Sequence, residues 1–183
     1  MNCFVIAEPD KCIGCRTCEV ACVLAHPVGE QKGMELSPEN FRPRLKLVRS
    51  RTLTAPVQCR QCENAPCVNV CPTEALIYDR NIVQFLMERC IGCQSCVIAC
   101  PFGAMEMVEM PIRQQNLGPL HVKSTVSVAQ KCDLCLDVET GPACMNVCPT
   151  KALHLVDPDA VRNRAEKNRE KTAFSMPAEA FKK

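Results

Sequence analysis

The sequence predicts an α+β fold in which two small modules of one design are related by a pseudo-twofold, with a β-rich insertion and a C-terminal helix. Three observations support this prediction. Sixteen of the 17 cysteines fall into four groups of four within 183 residues. The apolar runs are short and separated by turn residues, which is typical of short strands. Tryptophan is absent and aromatic residues make up 4% of the chain, so something other than a large aromatic core must supply stability, and bound inorganic clusters could do so.

Each cysteine group opens with C-x2-C and closes with C-x3-C. In chain order the groups are Cys12, Cys15, Cys18 and Cys22; Cys59, Cys62, Cys67 and Cys71; Cys90, Cys93, Cys96 and Cys100; and Cys132, Cys135, Cys144 and Cys148. Group three, followed by Pro101, has the C-x2-C-x2-C-x3-C-P spacing of bacterial ferredoxins. Group one has the same spacing but is followed by Val23, and groups two and four have longer central spacers. The repeat therefore predicts four [4Fe–4S] clusters held by sixteen cysteines.

The ligands of each cluster are predicted to come from two groups. In a ferredoxin pair, the fourth cysteine of each run crosses to the neighbouring cluster. Groups two and three are only eighteen residues apart, so they should exchange fourth cysteines, and groups one and four remain as the other pair. The predicted sets are Cys12, Cys15, Cys18 and Cys148; Cys132, Cys135, Cys144 and Cys22; Cys59, Cys62, Cys67 and Cys100; and Cys90, Cys93, Cys96 and Cys71.

This pairing divides the chain into segments. The predicted segments are an outer two-cluster ferredoxin-like module at 1–30 and 130–157, an inner one at 56–108, β-rich insertions at 31–55 and 109–129, and a helical tail at 158–183. Short strands are predicted at 4–7, 44–49, 75–78, 82–85, 104–110, 122–128 and 152–156. The three residues between the last two cysteines of each group can form a short helical turn.

The C-terminal tail has clear helix-start signals. Asp157 is suited to the N-cap and Pro158 to the first helical position. The following residues are polar and favour a solvated helix. The alternative is a docking or self-association arm ending in Phe174, Met176 and Phe181.

Other metal and catalytic chemistry fits the sequence poorly. Structural zinc sites usually combine two C-x2-C pairs separated by a long spacer, and attachment of haem c needs a histidine after a cysteine pair. The three histidines, His26, His121 and His154, are isolated in the sequence, and we expect surface or core roles for them. No phosphate-binding, dinucleotide-binding or nucleophile motif is present, so no catalytic residues are predicted.

The charge balance argues against nucleic-acid binding. The formal net charge is +2, and four oxidised clusters of about −2 each would bring it to about −6. Lys11, Arg89 and Lys131 each precede the first cysteine of a group. They either lie near clusters, where positive charge raises a reduction potential, or are solvated. Cys3, outside the four groups, is expected to be a small buried apolar residue.

The cysteine content also bears on the compartment. The N-terminus has no basic segment followed by an apolar one, and no apolar run is long enough to span a bilayer. Seventeen thiols are therefore expected to remain reduced in the cytoplasm, with no direct membrane insertion.

Longer motifs make the chain resemble a known family. They are MNCFVIA at 1–7, CIGCRTCEVAC at 12–22, CRQCENAPC at 59–67, CPFGAME at 100–106, KCDLC at 131–135 and GPACMNVCPTKALHLVD at 141–157. Over residues 1 to about 157 the chain resembles the four-cluster iron–sulfur subunits of the HydN and formate hydrogenlyase family.

The resemblance implies an electron-transfer subunit rather than an enzyme. It would pass electrons between a molybdenum or tungsten formate dehydrogenase and a hydrogenase or another acceptor. Two alternatives stay open: an iron–sulfur subunit of another molybdopterin oxidoreductase, and a delivery or assembly factor for a metalloenzyme.

Overall fold

The computed structural model describes residues 2–27, 36–38, 40–111 and 125–175. Within these ranges the helices are α1 Thr17–Ala25, α2 Pro66–Asn69, α3 Ser95–Ala99, α4 Ala143–Asn146 and α5 Pro158–Ser175. The strands are β1 Phe4–Ala7, β2 Lys46–Arg49, β3 Thr54–Val57, β4 Leu76–Asp79, β5 Ile82–Phe85, β6 Glu106–Pro111, β7 Thr125–Gln130 and β8 Leu153–Val156. Short helices and small sheets agree with the predicted α+β class, while the pseudo-twofold and the segment boundaries stay predictions.

The strands form four antiparallel pairs, β1 with β8, β2 with β3, β4 with β5 and β6 with β7. In the first pair Phe4 lies opposite Val156, so the two ends of the cysteine-rich region meet. This pairing brings group one to group four, while β4 and β5 form a hairpin between groups two and three.

The cysteine motifs themselves bend the backbone where α1 and α3 begin. Gly14 and Gly92 each have φ of +69°, and a Cβ at Gly92 would lie 2.6 Å from the Ser127 carbonyl oxygen. Arg16 and Gln94, at the N-caps, also have a left-handed backbone conformation, with φ of 65° and 66°. The two C-I-G-C segments therefore turn in the same way, and each helix begins five residues after the first cysteine.

Helix α1 is longer than the predicted helical turn because no proline follows Cys22. Proline follows the fourth cysteine in the other three groups, and it lacks the N–H that a continuing helix needs. With Val23 at this position, α1 runs on through Ala25 and ends where His26 N–H bonds to the Val23 carbonyl.

The strands differ from prediction in a few places. Strand β3 was not predicted; it contains Pro56, which a two-stranded sheet tolerates because both strands are edges. Strands β2 and β6 each begin two residues later than expected. The predicted strand 122–128 is described only from Thr125 onward, where β7 begins.

The tail forms the predicted helix. The Asp157 carboxylate accepts a hydrogen bond of 2.7 Å from Ala160 N–H, which is N-capping. No residue of α5 is buried, as the solvated-helix prediction requires. Phe174 is exposed, whereas Met176 and Phe181 lie outside the described residues. Within the described ranges, no helix combines the length and apolar character needed to cross a membrane.

Candidate iron–sulfur centres

Most of the sixteen cysteines pack in one of two cores. In the first core, Cys18 and Cys22 pack with Cys144, and Cys132 and Cys148 contact the same cluster of residues. The second core joins groups two and three; its cysteines are Cys62, Cys67, Cys71, Cys90, Cys96 and Cys100. Helix α1 packs on α4, and α2 packs on α3. Each core therefore combines the two groups that were predicted to exchange their fourth cysteines.

Two small cavities, both open to solvent on one side, are each lined by four cysteines of one predicted set. The lining cysteines of the first are Cys12, Cys15, Cys18 and Cys148. Those of the second are Cys71, Cys90, Cys93 and Cys96. In both cavities the fourth cysteine comes from the partner group and none comes from the end of the same run. One thiol of each set, Cys15 and Cys93, is exposed.

Five of the other eight cysteines are buried, compared with one of the eight that line the two cavities. Burial, together with the adjacent Cys132 and Cys22, raises the pKa of Cys144 to about 12. In the same way, burial raises the pKa of Cys67 to about 11, with a further contribution from Cys59 and Cys100. Cys22 and Cys100 therefore lie close enough to these thiols of the partner group to raise their pKa values, while crossed ligation stays a prediction.

Backbone N–H groups point at the fourth cysteine of every group. Three of these cysteines receive the N–H four residues later in the chain: the pairs are Ala75 to Cys71 at 3.3 Å, Ala104 to Cys100 at 3.4 Å, and Ala152 to Cys148 at 3.3 Å. The N–H four residues after Cys22 is that of His26, which bonds to the Val23 carbonyl oxygen because α1 continues. Cys22 Sγ instead accepts a hydrogen bond of 3.2 Å from Arg44 N–H. Donors to sulfur stabilise thiolates, and they are one of the groups that set cluster potentials.

The exposed and buried thiols have different proton affinities. Hydrogen bonds with the Thr17 and Ser95 side chains lower the pKa of Cys15 and Cys93, respectively. Burial instead raises the pKa of Cys132 to about 12. Without metal the Cys132 thiol is therefore neutral, and metal binding must displace its proton.

The donor set fits [4Fe–4S] clusters. Each of the four sets consists of four thiols, and soft thiolate ligands select iron–sulfur or zinc centres over magnesium or calcium. All 17 cysteines are free of disulfides. Two sets surround cavities, and all four receive N–H donors at their crossing cysteine, which is the environment that cluster sulfurs need.

One cluster of residues was not predicted. His26 Nδ1–H donates to the Cys22 carbonyl oxygen at 2.8 Å, and Nε2–H donates to Asp133 at 3.0 Å. Although burial opposes the charged imidazole, the Asp133 hydrogen bond raises the pKa of His26 to about 12. Arg44 also pairs with Asp133. His26 thus has a structural role in the interior, within the surface or core roles expected for it, and its partner Asp133 could not be predicted because it lies far away in the chain.

The side chains of His26, Asp133 and Cys135 lie within 4.8 Å of one another and could in principle hold a metal ion. Both His26 nitrogens and both Asp133 oxygens already have partners, however. Cys135 belongs to the fourth cysteine group. The cluster is therefore better explained as a tie that fixes the end of α1 against group four.

A second unpredicted group joins the two cores. The Gln61 amide nitrogen donates to the Cys132 carbonyl oxygen at 2.9 Å, and the Gln61 amide oxygen accepts from Val83 N–H at 3.0 Å. The Lys131 ammonium donates to the same Cys132 carbonyl oxygen at 2.8 Å. Groups two and four therefore meet at this junction, and the sequence carries no signal for it beyond a polar residue inside a C-x2-C motif.

The three predicted cations have different fates. Lys131 is 3% exposed. Lys11 is exposed and forms an ion pair of 2.6 Å with Glu8, and Arg89 is exposed. Cys3 is only partly buried and packs against the first core. Only Lys131 therefore lies in the interior, between cysteines of two different groups.

Comparison with family models identifies the chain. A model described as a 4Fe-4S dicluster domain matches residues 50–158, and a second model of the same description matches residues 11–77. The Escherichia coli K12 electron transport protein HydN is 47% identical over 95% of this chain and 99% of its own length. The chain belongs to the HydN family of 4Fe-4S dicluster proteins.

Other relatives of this HydN-family chain have related names. The putative electron transport protein YsaA of E. coli K12 is 46% identical over 88% of this chain and 94% of its own length. A protein of Rhodospirillum rubrum named iron-sulfur protein is 40% identical over 88% of this chain and 85% of its own length. These names and the family models support an iron–sulfur protein with a role in electron transfer.

Among solved structures, a chain of the active-site complex BamBC of benzoyl coenzyme A reductase aligns with 97% of this chain and 92% of its own length. The identity is 20% and the TM-score 0.41, which is too low to support an inference.

Proposed function

We propose that this HydN-family protein is a cytoplasmic one-electron carrier between a molybdenum or tungsten formate dehydrogenase and a hydrogenase or another acceptor. The observation that carries the proposal is the grouping of sixteen cysteines into four sets of four within two cores. The names of the relatives support electron transfer, and the partners follow from the family resemblance. The chain itself has no proposed catalytic residue.

The four sets are proposed to hold one [4Fe–4S] cluster each, with crossed fourth cysteines. Support comes from Cys148 at the cavity of group one and Cys71 at the cavity of group three. For the two buried sets it comes from the electrostatic effect of Cys22 on Cys144 and of Cys100 on Cys67. Each cluster, when bound, supplies a site that gains or loses one electron.

The sets are proposed to act in the order of groups one, four, two and three. In this order the sets named after groups one and three are the outer sets, and those named after groups four and two are the inner sets. The outer sets include the exposed Cys15 and Cys93. The Gln61 junction links groups two and four. This order, with a pseudo-twofold between the cores, would give one electron entrance at each end. The chain's residues keep water from the inner sets and supply N–H donors to the sulfurs.

Formate-driven reduction tests the proposed partners. Reconstituted protein is mixed anaerobically with formate and a purified formate dehydrogenase, and bleaching of its visible absorbance is followed. We expect bleaching only when enzyme and formate are both present. If an active formate dehydrogenase neither binds nor reduces the protein, this partner assignment fails, while reduction by another molybdopterin enzyme would support that alternative role.

A further inference from the structure

The two proposed outer centres reach the surface through matching loops. Port one consists of the exposed residues at the cavity of Cys15: Ile13 and Arg16 line it, Arg49 bonds to Gly14, and both chain neighbours of Lys151 line it. Port two is the matching set at Cys93: Ile91 and Gln94 line the cavity, Ser127 lies beside Gly92, and both chain neighbours of Glu74 line the cavity. The two isoleucines occupy the same motif position and are 66% and 65% exposed. Because electron tunnelling weakens steeply with distance, a partner must dock on one of these rims.

The ports have the same backbone geometry at their key positions. Arg16 and Gln94 each follow the second cysteine of a C-I-G-C motif, with φ of 65° and 66°. Lys151 and Glu74 each lie three residues after a fourth cysteine, with φ of 50° and 53°. The side chains at equivalent positions therefore leave the backbone alike, and the ports differ mainly in which side chains they carry.

Those side chains give the two ports opposite charge. At port one Arg49 donates to the Gly14 carbonyl oxygen at 3.0 Å, whereas at port two the residue over the matching glycine is Ser127. In the described part of the chain, neither Arg49 nor Lys151 has an ion-pair partner, while Arg16 pairs with Glu19 at 2.6 Å. Port one therefore keeps two uncompensated cations, and port two has Glu74.

Other charges near the ports reduce this difference without removing it. Asp10 and Lys11 precede Cys12 in a short 3-10 helix, and Glu88 and Arg89 precede Cys90 in the same way. Lys11 is already paired with Glu8, so Asp10 subtracts one charge from port one, whereas Glu88 and Arg89 cancel at port two. Port one still keeps a net positive charge and port two a net negative one, and the cluster charge, equal at both ports, does not change their order.

We propose that port one docks an acidic surface of a redox partner protein and that port two does not. This inference deepens the proposed function and rests on it, because it assigns a class of partner to one end of the carrier. Complementary charge mainly accelerates productive encounters and selects among partners. The two ends would thus distinguish donor from acceptor by charge, although their cysteine loops are alike.

The test measures electron exchange with an acidic plant-type ferredoxin as probe. Reduced, cluster-loaded protein is mixed with oxidised probe in a stopped-flow instrument at low and high salt. Lys151→Glu gives port one the residue that port two carries at an equally left-handed position. We expect an approximately tenfold slower second-order rate at low salt, and little difference at high salt, where charges are screened.

Two further variants distinguish an effect of the charge at port one from an effect of the protein's net charge. Lys171→Glu on the exposed helix α5 makes the same change in net charge away from the cysteine loops and should leave the rate nearly unchanged. Glu74→Lys gives port two a cation and should raise the rate. Equal slowing by Lys151→Glu and Lys171→Glu, or no effect of Lys151→Glu, would overturn the proposal.

Cross-linking provides a readout independent of rate. A carbodiimide joins lysine amines to carboxylates in contact, and mass spectrometry should find Lys151 joined to the probe. Cross-links made only at port two would contradict the proposal. If unmodified loaded protein exchanged electrons with no redox protein, the carrier function itself would fail, whereas exchange without port dependence would overturn only this inference.

Discussion

The buried lysine between groups two and four offers the most direct test of how the fold sets cluster potentials. Lys131 is 3% exposed, and its ammonium bonds to the Cys132 carbonyl oxygen. In the part of the chain that the structure describes, no carboxylate pairs with it. A buried cation requires compensation, and the thiolates of the two inner sets supply it. Replacing Lys131 by Met keeps the long apolar stem and removes the charge.

The expected change in the cluster reduction potentials follows from Coulomb's law. A unit charge about 7 Å from a centre, at an effective dielectric constant of about 20, contributes about 2.4 kcal/mol. For a one-electron couple, at about 59 mV per tenfold change, this equals about 100 mV. Loss of the positive charge favours the oxidised cluster. Lys131→Met should therefore lower the potentials of the two inner centres by about 100 mV and shift the outer centres less.

Potentiometric titration followed by EPR measures these shifts. Lys131→Gln removes the charge but retains a donor for the Cys132 carbonyl, so it should show a similar decrease if charge is the cause. Lys11→Met is the matched control, since Lys11 also precedes the first cysteine of a group. Its charge is exposed and paired with Glu8, so we expect a shift of about 25 mV or less, as for a dielectric constant near that of water. Unchanged inner potentials in Lys131→Met with all clusters intact would refute the reasoning.

Three other predictions concern the clusters and the tail. Reconstituted protein should contain about sixteen iron atoms and about sixteen sulfides per chain, which metal and sulfide analysis measures; stoichiometric zinc without sulfide would exclude the iron–sulfur assignment. Chelation of the iron should unfold the protein because cluster binding is coupled to folding, and circular dichroism measures the unfolding. Cys22→Ser should alter the EPR signal of the set containing Cys132, whereas a change confined to the set of Cys12 would refute crossed ligation. Removing residues after Asp157 should leave the thermal midpoint nearly unchanged because α5 buries nothing; if α5 is a docking or self-association arm, partner binding or dimerisation measured by ultracentrifugation should weaken.

The local structure was largely predictable where backbone chemistry decides it. The N-cap at Asp157 was predicted correctly, and strand β5 was predicted with its correct bounds. Strand β3 was missed because Pro56 disfavours a strand in a sequence pattern, although an edge position tolerates it. The length of α1 was also not predicted. Val23 stands where the other groups have proline, and the helix continues past Cys22 for that reason.

From the sequence alone, four cysteine sets and their pairing could be predicted, because ligand spacing is a local property and the crossing rule leaves one natural pairing; the sets stay predictions. Which charges are buried, and where groups two and four meet, depends instead on the tertiary structure. Lys11, Arg89 and Lys131 occupy the same position before a cysteine motif, yet only Lys131 is enclosed. Burial depends on what other segments cover a residue, here the loop that carries Gln61 70 residues away in the chain. The tie between His26 and Asp133, 107 residues apart, has the same origin.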